Sequence, residues 1–179
     1  PRLERSMFVR STGNSHNNAE QIINEPLDEY VAPEKLEAAS RAWRERAGFD
    51  GRLNSVSIGN PHAVLFCLYV DSVPVSAIGP VLENDPVFPK GINVQFAHCR
   101  SRDSIKVRTW ERGCGETQAC GSGAAAACVA GVLTGRTERN VRVQLPGGEL
   151  DVNWEEQSDR ISITGPAAEI FSGEWPCSA

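Results

Sequence analysis

Several things are missing from this sequence, and each absence narrows the reading. There is no excess of basic charge: 18 Lys and Arg stand against 23 Asp and Glu, a formal net charge of −5. A footprint for nucleic acid or for an anionic lipid surface needs the opposite balance. There is no long hydrophobic run. The longest uncharged apolar stretch, residues 119–133, is too short and too rich in small side chains to span a bilayer. No positively charged segment followed by an apolar stretch opens the chain, so no secretory signal is visible. No internal repeat or low-complexity tract stands out. The chain starts at Pro1 and not at Met, which raises the expectation that it is a piece of something longer.

Metal-finger spacing is also missing. Six cysteines lie at 67, 99, 114, 120, 128 and 177, with no CxxC pair and no His at zinc-finger spacing. A bound metal is therefore not expected. The chain is larger than typical disulfide scaffolds and has enough aliphatic strands to build a core. The thiols are read as reduced, most of them buried small hydrophobes, in a cytoplasmic protein.

What is present is globular. Hydrophobic residues make up 40% and charged residues 23% of 179, enough for one domain of ordinary size. Residues 1–53 differ in texture from the rest. They carry the polar stretch STGNSHNN at 11–18 and prolines at 26 and 33. A charged helix is expected over 34–47, with Leu36, Ala39, Trp43 and Ala47 in a narrow stripe. This region reads as a linker or extension packed on a core, and residues 54–179 as the domain proper.

From Ser55 the pattern turns to strands. The nearly all-apolar run at 62–70 suits a strand covered on both faces. A short helix is expected over 75–83 and a strand over 92–99. Residues 104–112 alternate: Ile105, Val107, Thr109 and Glu111 share one face, and Lys106, Arg108, Trp110 and Arg112 the other. The stretch 119–133 is apolar around its whole circumference, as in a helix buried on all sides. Val141, Val143 and Leu145 lead through a PGG turn to Leu150, Val152 and Trp154, and Ile161 and Ile163 follow. The fold class expected is α+β, a curved, mostly antiparallel or mixed sheet wrapped around one buried central helix.

The chemistry concentrates in WERGCGETQACGSG at 110–123. A strand ends, a Gly-rich loop turns, and a helix begins at Cys120. The N–H groups of Gly121, Ser122 and Gly123 are expected to point out of the helix N-terminus, a place for a carboxylate. The same helix end is expected to lower the pKa of the adjacent thiol. Glu111 closes the inward face of its strand, within a short loop of Cys120, and can accept the thiol proton. On the local pattern alone, a tight turn with Cys120 as a buried filler fits equally well. A second group is GNPH at 59–62. Asn60 offers a donor and an acceptor, and His62 is a candidate acid/base or a structural turn residue. Asn93 sits within a strand and needs partners if buried.

Together these segments resemble the C-terminal half of diaminopimelate epimerase, a pyridoxal-independent amino-acid epimerase. GNPH, GPVLENDPVFP at 79–89, NVQF at 93–96, the 110–123 motif, LPGGEL at 145–150, TGPA at 164–167 and GEWP at 173–176 occur in the right order. The resemblance implies one half of a pseudo-symmetric fold and a two-base mechanism without a cofactor. Two cysteines face the substrate α-carbon from opposite sides. Cys120 matches one of them, Glu111 its carboxylate partner, and His62 the base that pairs with the other. Asn60, Asn93, Glu111 and Arg112 match substrate-contacting positions, and Gly121 and Ser122 the amides that hold the α-carboxylate. It further implies an amino-acid substrate, LL-2,6-diaminopimelate turned to the meso form for lysine biosynthesis, and a homodimer with no nucleic-acid or membrane partner. The family's CGNG segment, which carries the other cysteine, does not occur here, so the chain alone is expected to be inactive. Another cofactor-independent racemase of the same fold, or an inactive self-associating domain, is the alternative.

Overall fold

The structure is a computed structural model that describes residues 9–10 and 22–174. The polar stretch at 11–18 and Cys177 lie outside the described residues. Ten strands among the described residues join in one sheet. They are β1 (Val9–Arg10), β2 (Glu25–Pro26), β3 (Arg52–Ser57), β4 (Pro61–Phe66), β5 (Asn93–Ser101), β6 (Ser104–Glu111), β7 (Gly115–Thr117), β8 (Asn140–Leu145), β9 (Gly148–Trp154) and β10 (Ile161–Thr164). Their order is β1-β3-β4-β5-β6-β8-β9-β10, with β2 attached to β3 and β7 to β6. The β1–β3, β4–β5 and β6–β8 pairs are parallel and the other pairings antiparallel. With helices α1 (Pro33–Ala39), α2 (Trp43–Ala47), α3 (Val75–Glu83) and α4 (Gly121–Leu133), the class is α+β with a mixed, mostly antiparallel sheet.

The strand periodicity explains which face each residue takes. On β6, Ile105, Val107 and Thr109 are buried, while Lys106, Arg108 and Trp110 are half-buried on the other side. Register then carries this face across the sheet. Thr109 lies opposite Gln95, Gln95 opposite Val64, Asn93 opposite His62, and His62 opposite Val56. The α4 helix packs on this face, against β3, β4, β5, β6, β8, β9 and β10. Its residues from Gly123 to Gly131 are all buried, and its alanines leave room for the strands to come close. Val56, Val64, Phe66, Val107, Val143 and Val152 fill the cluster beneath it.

The opposite face of the sheet has its own core, and here the structure differs from the sequence expectation. The segment read as an extension supplies Ile22, Leu27, Val31, Leu36, Trp43, Ala47 and Leu53, all almost wholly buried, to one cluster with Leu65, Ile78 and Phe96. Each large apolar side chain buried in this way contributes roughly 1.5–3 kcal/mol. The helix expected over 34–47 is also broken. Helix α1 ends at Ala39, and Ala42 takes a left-handed φ of 52° before α2 begins. Glu37 accepts the Ala42 N–H at 2.7 Å, which holds the break. The turn lets Leu36 and Trp43 both reach the core. Likewise, the strand expected over 62–70 stops at Phe66. Leu68 and Tyr69 are exposed, and a 3-10 turn follows at Val70–Ser72. Helix α3 lies where it was expected.

Candidate active site

Cys120 is the N-cap of α4, with extended backbone (φ −140°, ψ 106°). An N-cap side chain ordinarily accepts from the N–H two or three residues on. Here the acceptor is sulfur: the Gly123 N–H points to Cys120 Sγ at 3.3 Å. The Ser122 hydroxyl lies 3.6 Å from the same sulfur. This corrects one expectation. Gly123 was expected to offer its N–H to a ligand, but that donor is taken by the thiol. Gly121 and Ser122 remain as the amides at the open end of the helix.

The expected lowering of the Cys120 pKa is also overturned. Burial pushes the thiol up, and this outweighs the hydrogen bonds from Ser122 and Gly123 that favour the thiolate. The Glu111 carboxylate is within electrostatic reach and pushes it up further. Glu111 ends β6 on the α4 face, and Thr117 on β7 donates its hydroxyl to Glu111 Oε1 at 2.6 Å. The tight β6–β7 hairpin makes this possible, since Glu111 pairs with Gly115 and Thr109 with Thr117. The hairpin is itself anchored from α3: Glu83 accepts from Trp110 Nε1 at 2.6 Å and from the Gly113 N–H at 2.9 Å.

The GNPH turn arrives beside α4 from β3 and β4. Gly59 takes φ 88°, a conformation that favours glycine. Asn60 Nδ2 donates to the Ser122 hydroxyl at 3.4 Å, so the two expected site segments meet. His62 is fully buried, with Nε2 3.0 Å from Asn60 Oδ1 and Nδ1 3.1 Å from Gln95 Oε1. Burial lowers its pKa to about 4, aided by the nearby Arg112, against the opposing hydrogen bond to Gln95. The ring is therefore neutral at physiological pH.

Asn93 ties the two sides together. Its Nδ2 donates to the Pro61 carbonyl at 2.9 Å, and its Oδ1 accepts the Arg112 N–H at 3.0 Å. Arg112 extends away to donate from Nη1 to the Lys90 carbonyl at 2.8 Å. Asn60, His62, Asn93, Glu111, Arg112, Cys120, Gly121 and Ser122 thus lie around one end of the sheet under the N-terminus of α4. Sequence reasoning passed over Gln95, Thr117 and Glu83. Gln95 had a signal: it is a polar residue in phase with Asn93 in an apolar strand. A cavity of about 400 Å³, lined by Asp50, Phe66, Cys67, His98, Cys99 and Arg136, sits at the other end of β4 and β5, away from Cys120. Among the described residues no group of three or more His, Cys, Asp or Glu is placed to hold a metal. No helix among them is long and apolar enough to cross a membrane.

Residues 54–170 match the family model of diaminopimelate epimerase. The chain belongs to the diaminopimelate epimerase family. It is 42% identical over 164 residues to the diaminopimelate epimerase of Moorella thermoacetica, covering 92% of this chain and 56% of that protein. It is 48% identical over 132 residues to that of Pelotomaculum thermopropionicum, covering 74% of this chain and 47% of that protein. The chain thus spans about half the length of the curated relatives it matches. Among solved structures, a Bacillus anthracis phenazine biosynthesis protein of the PhzF family aligns at TM-score 0.44 and 17% identity, over 62% of this chain and 37% of that one.

Proposed function

We propose that this chain carries one of the two acid/base centres of a cofactor-independent diaminopimelate epimerase, with Cys120 as the reacting thiol. The observation that carries the reading is the place of Cys120 as N-cap of α4, within electrostatic reach of Glu111, at the helix end where Gly121 and Ser122 supply the first amides. An α-carboxylate seated on those amides sets the substrate α-carbon beside the sulfur. As a thiolate, Cys120 takes the α-proton, and the electron pair stays on carbon next to the carboxylate. A second thiol on the opposite face delivers a proton and becomes the thiolate. The reverse direction exchanges the roles, and no oxidant or metal enters the balance. A thiolate raised in basicity by burial is better matched to a weakly acidic C–H.

In this reading Glu111 receives and returns the Cys120 proton, while its Thr117 hydrogen bond fixes the carboxylate. His62 serves the second thiol, which lies outside this chain. Asn60, Asn93 and Arg112 line the substrate side. The sheet around α4 is one half of a pseudo-symmetric pair, with residues 22–53 packed into its other face. The parent enzyme acts in the cytoplasm as a homodimer on LL-2,6-diaminopimelate, forming the meso isomer for lysine biosynthesis.

The test is α-proton exchange of LL-diaminopimelate in D₂O. The intact parent is expected to exchange and epimerise, and its Cys120→Ser variant to lose at least a hundredfold in rate. This chain alone is expected to show no turnover. Full-rate turnover by the chain alone would overturn the assignment of the second base to another segment.

A further inference from the structure

Gln95 lies at the centre of the polar end of the sheet. It is fully buried on β5, with His62 on one side and the first turn of α4 on the other. Its carboxamide oxygen faces His62 Nδ1 at 3.1 Å, and its carboxamide nitrogen has no hydrogen-bond acceptor among the described residues. That nitrogen occupies the space where Gly123 lacks a side chain. A Cβ on Gly123 would lie 2.9 Å from Gln95 Nε2 and 3.2 Å from Cys120 Sγ. The amide and the thiol therefore converge on one point.

A neutral imidazole has a single N–H. Here both ring nitrogens face a carboxamide, Gln95 at Nδ1 and Asn60 at Nε2, so only one of the two amides can present oxygen to the ring. The surroundings decide which. Gln95 is enclosed on β5, its nitrogen end set against Gly123 in the first turn of α4. Asn60 is half-buried at the turn. Turned over, it donates to Nε2 and accepts from the Ser122 hydroxyl, which then turns its hydrogen from Cys120 Sγ to Asn60.

We propose that Gln95 is a positioning residue: it holds the proton of His62 on Nδ1, leaves Nε2 as the basic nitrogen facing Asn60, and rests its own nitrogen end against the first turn of α4. One side chain then spans from His62 to the helix turn that Cys120 caps. The inference rests on the reading of His62 as a base, but its test does not require turnover.

The experiment is ¹⁵N imidazole NMR of this chain, which contains three histidines, His16, His62 and His98. His62 is expected to give the Nδ1–H pattern, with a protonated Nδ1 and a pyridine-type Nε2, unchanged from pH 6 to 8. In Gln95→Met the signals are expected to move towards the Nε2–H form or a mixture. In Gln95→Glu the imidazole is expected to titrate at least one pH unit higher than in the parent. An Nε2–H tautomer in the unsubstituted chain overturns the proposal, whether or not any variant folds. So does an unchanged Nδ1–H pattern in folded Gln95→Met. If the intact parent epimerises while His62 carries its proton on Nε2, this inference fails and the assigned function stands. If the parent does not epimerise while the Nδ1–H pattern holds, the function fails and the positioning stands.

Discussion

The Thr117 hydroxyl donates to Glu111 Oε1 at 2.6 Å, across the two strands of a tight hairpin. One carboxylate oxygen is held in place, and the group as a whole remains within reach of Cys120. A carboxylate that must take and return a proton needs a fixed position more than a strong charge. Removing the hydroxyl by Thr117→Val in the intact parent is expected to lower the epimerisation rate about tenfold, less than the hundredfold or more expected for losing the acid/base itself. The substrate KM should change little. Steady-state kinetics of the two proteins would check this, and an unchanged rate would count against Glu111 as the proton partner.

Glu111 also raises the Cys120 pKa. Glu111→Gln removes the repelling charge, so the thiol should ionise at lower pH than in the parent. More thiolate is then present at neutral pH. Alkylation by iodoacetamide at pH 7–8, followed by mass spectrometry of the Cys120 peptide, should be faster in the variant. Epimerisation by the intact parent carrying the same change should be slower. Faster labelling with slower catalysis separates a proton partner from a merely structural carboxylate.

His62 makes stability depend on pH in a defined window. Its folded pKa, about 4, lies below the ordinary histidine value of 6.5 expected in the unfolded chain. Below pH 6.5 the unfolded state takes up a proton that the folded state refuses, so stability falls as pH drops from 6.5 towards 4. Below about 4 both states are protonated and this contribution levels off. The full effect is about 3 kcal/mol. Urea denaturation midpoints between pH 7 and 4, compared with His62→Gln, would measure it. A variant with the same pH profile as the parent would remove His62 as the cause.

Gly123 is tested by its neighbours. A methyl there meets Gln95 and Cys120 at once, both in a buried corner. Gly123→Ala is expected to destabilise the fold by roughly 1–3 kcal/mol, despite the better helix propensity of alanine. Thermal unfolding would show it as a lowered Tm. A neutral or raised Tm would mean that the corner has room to relax.

The segment before residue 54 is expected to behave as core. Trp43 is fully buried, stacked on Phe49 at 5.2 Å and edge-on to Phe96 at 6.2 Å. Trp43→Ala should cost about 3–5 kcal/mol. Proteolysis of the variant should begin within 22–53 and spread to the sheet. Cleavage confined to this segment, leaving 54–174 folded, would restore it to the status of an extension.

Much of this molecule is written in local pattern. The alternation of β6 separates Ile105, Val107 and Thr109 from Lys106, Arg108 and Trp110 because a strand has a period of two. The uniformly small, apolar stretch before Leu133 forms a buried helix because no face of it tolerates water. The GNPH and WERGCGETQACGSG motifs marked the residues that come together at the α4 N-terminus. Three things required the assembled fold. The role of residues 22–53 as a core wall depends on which face of the sheet they meet, and no local periodicity records a partner. The direction of the Cys120 pKa depends on how much water is excluded around the sulfur: a helix end in water favours a thiolate, and burial of the same end reverses the sign. The place of Gln95 between His62 and Gly123 depends on strand register, a relation between residues distant in sequence that only hydrogen-bonded pairing defines.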